Sequence, residues 1–125
     1  MNDKQLYLIA KENLDKAYAP FSNFKVGAAL LTKDGKVFTG VNVENSSYGA
    51  TICAERTACV KAVSEGYRDF EKIAIVSSGG EAFPCGICRQ FLYEFADDLI
   101  VITGKNENEL VTYRLNELLP EGFKI

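Results

Sequence analysis

The sequence predicts a mixed α/β fold in which one five-stranded sheet carries helices on both faces, giving three layers. A helical segment and a hairpin come first, and strand-like apolar segments then alternate with helical ones. This order is typical of a sheet covered by helices. The chain has 125 residues, of which 47% are hydrophobic and 25% charged, as expected for one globular domain. We therefore expect residues 1–125 to form a single domain.

The first predicted element is a helix over residues 3–18. Asp3 is its expected N-cap, and Pro20 ends it because proline cannot continue a helix. Its apolar residues recur at helical spacing: Leu6, Ile9, Ala10, Leu14 and Ala17.

A β-hairpin is predicted next. Strand-forming residues fill positions 24–32 and 37–43, and Asp34-Gly35 lies between them. A glycine after aspartate supplies the positive φ angle that tight hairpin turns need. Gly27 lies inside the first strand, where a residue without a side chain lets another element approach closely.

The second half of the chain alternates helices and strands. The predicted helices cover residues 53–65, 85–95 and 115–119. The predicted strands cover residues 70–77, 99–103 and 110–114. Gly66 is the expected residue after the first of these helices, since glycine adopts the left-handed conformation found there.

Charge and hydropathy argue against two classes of partner, nucleic acid and membrane. The net charge is −3 and Lys and Arg do not cluster, so binding to nucleic acid is not expected. No apolar run reaches the roughly 20 residues that cross a membrane, so no membrane partner is expected. Residues 1–14 carry Asp3 and Glu12 and lack the features of a signal peptide. We therefore expect a cytoplasmic protein.

The cysteines indicate a metal site. The chain has four cysteines and no histidine. Cys85 and Cys88 lie three residues apart at the start of one predicted helix, and Cys53 opens another. Catalytic zinc sites use three protein ligands and keep one position open. Helix N-termini favour ionised thiols, and Glu55 can reach the open position without being a ligand.

Two other interpretations of the cysteines remain open. A CxxC pair is also found in structural zinc sites and in dithiol redox sites. A structural site would need a fourth ligand, for which Cys59 is the remaining cysteine. Cys59 lies six residues after Cys53 on the same helix, which places it on the far side, so we expect it to be a buried apolar residue.

Arg56 is expected to offset the charge of the site. Three thiolates around Zn²⁺ leave a net negative charge, which weakens the metal as a Lewis acid. An arginine can donate its N–H groups to thiolate sulfurs. The alternative is a solvated arginine on a helix surface.

These residues resemble those of the small, homotetrameric, zinc-dependent cytidine deaminases. The resemblance is carried by linked segments in the right order, which are residues 18–30, 40–45, 53–57, 84–90 and 118–123. The residues of zinc deaminases include a PCxxC motif and a glutamate that is not a ligand. The resemblance implies the cytidine deaminase fold.

The resemblance also implies the reaction. Cys53, Cys85 and Cys88 would bind one zinc ion per chain, and Glu55 would be the catalytic proton carrier. Zinc-bound hydroxide would attack C4 of the base while Glu55 protonates N3 and later helps ammonia leave. This hydrolase would convert cytidine and 2′-deoxycytidine to uridine and 2′-deoxyuridine in pyrimidine salvage.

Substrate-binding residues follow from the same resemblance. Asn42 and Glu44 would hold the ribose 3′-hydroxyl, and Phe24 would pack on the base. Backbone groups near Ala54 and Pro84 would read the pyrimidine edges. Without the resemblance, Asn42 and Glu44 would be interpreted as solvated loop residues, and Phe24 equally well as a core residue.

The remaining expected residues complete the site. Ser46 and Tyr48 would lie near the sugar. Phe123 would enter from a neighbouring subunit, so that the sites of a homotetramer are shared. Two positions depart from the family pattern: Phe83 stands where many relatives have Ser or Thr, and Ser46 where they often have a smaller residue or a thiol.

A free nucleoside is the expected substrate. The acidic chain lacks the basic channel and stacking aromatics that a polynucleotide requires. The closest rival is a deaminase of another aminopyrimidine nucleoside such as blasticidin S, against which Glu44 argues because a carboxylate suits a ribose hydroxyl. A structural zinc module without turnover is the alternative from another class.

Overall fold

The computed structural model describes all 125 residues and contains one five-stranded sheet. The strands are β1 (Val26–Thr32), β2 (Val37–Val41), β3 (Phe70–Ser77), β4 (Ile100–Gly104) and β5 (Leu110–Arg114). The helices are α1 (Asp3–Glu12), α2 (Ala54–Ser64), α3 (Gly86–Tyr93) and α4 (Leu115–Leu118), with short 3₁₀ turns at Leu14–Lys16 and Tyr48–Ala50. None of these helices has the length and apolar character that crossing a membrane requires.

The sheet is mixed, as predicted. Its strand order is β2-β1-β3-β4-β5. Strands β3 and β4 run parallel, and the other neighbouring pairs run antiparallel. The Asp34-Gly35 turn joins β1 to β2, and Gly35 has a φ of +93°, so the predicted hairpin is confirmed.

Helices cover both faces of the sheet because side chains alternate along each strand. In β1, Ala29 and Leu31 belong to the core under α1, whereas Ala28 and Leu30 belong to the core under α2, α3 and α4. The predicted three-layer arrangement is confirmed. At Gly27 an added β-carbon would lie 2.5 Å from the Ala10 carbonyl oxygen, so this glycine does allow the expected close approach.

The prediction for the first helix was wrong at both ends. Its N-cap is Asn2, not Asp3: Asn2 accepts from the Gln5 N–H, and the Gln5 side chain accepts from the Asn2 N–H. This reciprocal capping box satisfies two free backbone donors, and Asp3 instead pairs with Lys72 at 2.8 Å. The helix ends at Glu12 because Asn13 turns its side chain back to the Ile9 carbonyl.

Strands β3 and β5 have the predicted bounds, and the remaining elements after α1 differ from the predictions by one or two residues at one or both ends. β2 ends at Val41, since Val43 bridges to Tyr18 and Ile52 instead of continuing the hairpin. The chain after α2 turns at Gly66, whose φ is +93°, as predicted. Because β2 ends at Val41, Asn42 lies just beyond the last hairpin residue, where its side chain faces the site described next.

Candidate active site

Three cysteines meet where two helices begin. Cys53 is the N-cap of α2, Cys85 is the N-cap of α3, and Cys88 lies in the first turn of α3. The Cys53 and Cys85 sulfurs are 3.7 Å apart, and the Cys85 and Cys88 sulfurs are 3.5 Å apart. All three sulfurs lie within 4.8 Å of one another.

These distances fit one zinc ion. A Zn–S bond of about 2.3 Å in tetrahedral geometry places two sulfurs roughly 3.8 Å apart. A disulfide would require a separation of about 2.05 Å. The fourth cysteine, Cys59, is fully buried in the core under α2, and burial raises its pKa to about 12. The prediction that Cys59 is a buried apolar residue is therefore confirmed, and the sulfur cluster has three members.

Glu55 lies in the first turn of α2, beside this cluster. Its side chain is buried, and only 4% of the residue is exposed. Burial raises the pKa of Glu55 to about 7, and the nearby Cys53 adds to the effect. A carboxyl group with this pKa can both accept and release a proton at neutral pH.

Arg56 contacts the sulfur cluster directly. Its Nη2 atom lies 3.6 Å from the Cys53 sulfur and 3.4 Å from the Thr51 carbonyl oxygen. Hydrogen bonds from Cys88 and Arg56 hold the pKa of Cys53 well below its ordinary value. The guanidinium thus lies where it can reduce the negative charge of the thiolates.

A cavity of about 280 Å³ opens onto the cluster and Glu55. It is lined by Ser22, Phe24, Val26, Asn42, Glu44, Thr51, Cys53, Ala54, Glu55, Ala82, Phe83 and Cys85. The structure thereby brings together most of the residues expected from the sequence. Of the additional lining residues, Ser22 and Val26 lie in the 18–30 segment, whereas Thr51 and Ala82 had no signal in the sequence.

Glu44 and Asn42 supply polar side chains to the cavity. Glu44 accepts hydrogen bonds from the backbone N–H groups of Phe21 (2.9 Å) and Ser22 (3.1 Å), and from the Ser22 hydroxyl. The hydrogen bond from the Ser22 hydroxyl lowers the pKa of Glu44 most, and the two backbone hydrogen bonds lower it further. The carboxylate is therefore ionised at neutral pH and still has lone pairs for a ligand.

The Asn42 side chain uses part of its hydrogen-bonding capacity within the protein. Its Nδ2 donates to the Phe24 carbonyl at 2.8 Å, and its Oδ1 accepts from the Val26 N–H at 2.9 Å. One N–H of the side-chain amide remains for a ligand. Asn42 therefore also orders the chain that carries the Phe24 ring.

Three of the expected substrate-binding residues lie outside the cavity of this single chain. Tyr48 lines a neighbouring surface depression that also contains Glu44. Ser46 is exposed. Phe123 is 65% exposed, and its backbone is held by the Gln90 side chain.

Comparison with known proteins identifies the family. Residues 1–104 match the family model for the cytidine and deoxycytidylate deaminase zinc-binding region. A probable cytidine deaminase of Dictyostelium discoideum is 52% identical over 91% of this chain and 78% of its own. The cytidine deaminase of Halalkalibacterium halodurans is 46% identical over 98% of this chain and 95% of its own.

A solved structure agrees with these sequence matches. The crystal structure of cytidine deaminase from Burkholderia pseudomallei superposes with a TM-score of 0.92 at 47% identity, covering 98% of this chain and 100% of that one. The chain therefore belongs to the cytidine and deoxycytidylate deaminase family, whose zinc-binding region holds the three cysteines.

Proposed function

We propose that this chain is a zinc-dependent hydrolase that deaminates cytidine and 2′-deoxycytidine to uridine and 2′-deoxyuridine, releasing ammonia. The observation that carries the proposal is the sulfur cluster beside a buried glutamate, in a cavity that is also lined by the polar side chains of Asn42 and Glu44. The family membership and the cytidine deaminases among the relatives support the same activity.

Cys53, Cys85 and Cys88 would hold one zinc ion. When bound, zinc would supply a Lewis acid that lowers the pKa of a water molecule. Arg56 donates to Cys53 and limits the negative charge that three thiolates bring to the site.

Glu55 is the proposed proton carrier. It takes a proton from the attacking water, delivers it to ring N3, and then carries a proton to the departing amine. Water adds at C4 and ammonia leaves, so the carboxylate is regenerated after each turnover. Its pKa near 7 suits both transfers.

The remaining cavity residues are proposed to bind the nucleoside. Glu44 and the free Asn42 N–H hold the ribose 3′-hydroxyl, and Phe24 packs on the base. Backbone groups at Ala54 read the base edge. An ionised Glu44 favours a ribose over a sugar that lacks the hydroxyl, since a hydrogen bond to a charged acceptor is stronger than one between neutral groups.

We also propose a homotetramer with shared sites. Large apolar side chains are exposed beside the cavity. Phe21 (48%) and Tyr48 (74%) line the neighbouring depression that also contains Glu44, and Tyr18 (57%) accepts a backbone hydrogen bond from Glu44. Exposed apolar patches of this kind are typical of subunit interfaces. Ser46 and Tyr48 would then complete the sugar side of the pocket, and Phe123 would reach the site of a neighbouring subunit. Light scattering of the purified protein tests the assembly.

We place the protein in the cytoplasm. Three thiolates can bind zinc only while they stay reduced, and the cytoplasm maintains thiols in that state. Imaging of a tagged protein in the source cells tests this assignment.

The activity is tested with purified, zinc-loaded protein and cytidine, by following uridine and ammonia. We expect the wild type and the control Glu71→Ala, which removes an exposed carboxylate on β3, to turn over. Glu55→Ala should retain zinc and lose at least roughly 10²-fold in kcat, the lower range for removing a general acid–base.

A negative result would also be informative. If zinc-loaded wild type turns over neither cytidine nor 2′-deoxycytidine, the proposed activity is wrong. Turnover of blasticidin S would then support the rival substrate, and no turnover of any aminopyrimidine nucleoside would support a structural zinc site.

A further inference from the structure

The backbone at Phe24 is held in place from both sides. Its N–H donates to the Ser22 hydroxyl at 3.0 Å, and its carbonyl accepts from Asn42 at 2.8 Å. The next residue, Lys25, exchanges two hydrogen bonds with Ser78: Lys25 N–H to the Ser78 hydroxyl (3.0 Å) and Ser78 N–H to the Lys25 carbonyl (2.8 Å). The ring of Phe24 can therefore move only by rotating its side chain.

The turn after β3 is also ordered. The Ser77 hydroxyl donates to the Gly80 carbonyl at 2.6 Å and accepts from the Gly79 N–H at 3.2 Å. Ser77 is itself buried at the end of β3. These bonds hold Gly79 in a fixed position next to the Phe24 side chain.

Gly79 contacts the edge of the Phe24 ring. A β-carbon added at Gly79 would lie 2.6 Å from Cε1 and 3.2 Å from Cδ1 of that ring. Ordinary carbon contacts are about 3.5–4.0 Å, so the ring would have to move by roughly an ångström. The backbone of Gly79 lies outside the positive-φ region, which holds Gly35, Gly66 and Gly80. The obstacle to an alanine at this position is therefore the Phe24 ring and not the backbone conformation.

We propose that Gly79 is a positioning residue for the base of the nucleoside. Because it has no side chain, the Phe24 ring can lie back against the Ser77–Gly80 turn and leave the cavity wide enough for the base. With a side chain at position 79, the ring would turn toward the cavity that it lines. This inference rests on the proposed function, in which the base packs on Phe24.

The effect should appear in substrate binding. Packing on an aromatic ring stabilises the bound base in the ground state and in the transition state alike, so its loss raises KM and leaves kcat nearly unchanged. We expect Gly79→Ala to raise KM for cytidine by about 3- to 10-fold, the range of one aromatic contact. A purely structural role would instead lower the melting temperature and the fraction of active enzyme.

The test is a double-mutant cycle on zinc-loaded protein, with KM, kcat and thermal unfolding measured for each variant. The variants are Gly79→Ala, Phe24→Leu and the double variant. The matched control is Gly49→Ala, since no atom lies within 4 Å of an added β-carbon there and its φ is not positive. If Gly79 acts through the ring, Gly79→Ala should change KM in the wild-type background and not in the Phe24→Leu background.

The other outcomes also decide for or against the inference. An unchanged KM in Gly79→Ala, or the same increase in both backgrounds, would overturn it. If Gly79→Ala fails to fold, recovery of folding in the double variant supports the contact, and failure of both overturns it. No turnover of cytidine by the wild type would instead overturn the proposed function together with this inference.

Discussion

Glu55 and Glu44 line one cavity, but their surroundings give the two carboxyl groups different protonation behaviour. Burial raises the pKa of Glu55 to about 7. Glu44 is open to solvent, and hydrogen bonds from Ser22 and Phe21 lower its pKa. One carboxyl group can therefore transfer protons near neutral pH, and the other stays an ionised acceptor.

The first residue-scale prediction concerns Ser22. Its hydroxyl is the largest cause of the lowered pKa of Glu44, so Ser22→Ala should raise that pKa toward the ordinary value. A higher pKa means that Glu44 becomes protonated at a higher pH as the solution is acidified. KM for cytidine should therefore begin to rise at a higher pH than in the wild type. Profiles of KM against pH check this, with the exposed Ser64→Ala as control; coinciding profiles would contradict it.

The second prediction at the scale of single residues concerns Arg56. Removing its charge from the 3.6 Å contact with Cys53 leaves the thiolates more negative, which opposes activation of water. We expect Arg56→Gln to lower kcat by roughly 10-fold, at the low end for residues that support metal ligands, and Arg56→Lys to recover part of it. Zinc content is measured alongside, and full turnover of a zinc-retaining Arg56→Gln would show that the charge is not needed.

At the scale of elements, Gly40 in β2 sets the position of α2. A β-carbon at Gly40 would lie 2.5 Å from the Ala54 carbonyl oxygen, in the turn of α2 that follows Cys53 and contains Glu55. Helix backbone cannot yield as a flexible side chain can, so a side chain at position 40 would displace the start of α2. The close contact of these two elements thus positions Cys53 and Glu55, the proposed proton carrier, together.

This packing predicts a large effect of Gly40→Ala. We expect it to destabilise the protein by about 1–3 kcal/mol or more, as overpacking of a tight core does, and to lower the zinc content per folded chain. Thermal unfolding and metal analysis measure both effects, with Gly49→Ala as the unhindered control. Unchanged stability and zinc content would mean that α2 is not held by this contact.

At the scale of the whole molecule, the two cores do not include the three cysteines of the metal site. One core lies under α1, the other under α2, α3 and α4, and Cys88 belongs to neither. The sulfur cluster is confined to the helix starts. The fold should therefore tolerate loss of zinc better than a small zinc module whose metal replaces a core.

Metal removal tests this expectation. Under a strong chelator, activity should fall to background while far-ultraviolet circular dichroism stays near its original value, and added Zn²⁺ should restore turnover. A parallel sample with chelator already saturated by zinc controls for effects of the chelator itself. Simultaneous loss of helix signal and activity would instead support the structural zinc alternative.

Much of the fold could be predicted because it depends on local pattern. The five strands, the hairpin at Gly35 and the break at Gly66 follow from strand-forming runs and from glycines that adopt positive φ. The extent of the first helix could not be predicted, because its apolar spacing continues past Glu12. Hydrogen bonds of the Asn2 side chain fix where the helix begins, and those of Asn13 fix where it ends.

The sequence by itself determined the family and the three cysteines of the zinc site, and it indicated the proposed proton carrier, because the spacing of these residues on two helix starts is a local property of the chain. Only the tertiary structure decided some of the contacts and lining residues around them. The packing of Gly40 on α2 and of Gly79 on Phe24 joins residues far apart in sequence, and so does the cavity that contains Thr51 and Ala82. Such contacts depend on how the sheet and its helices fit together in space, which residue spacing along the chain does not encode.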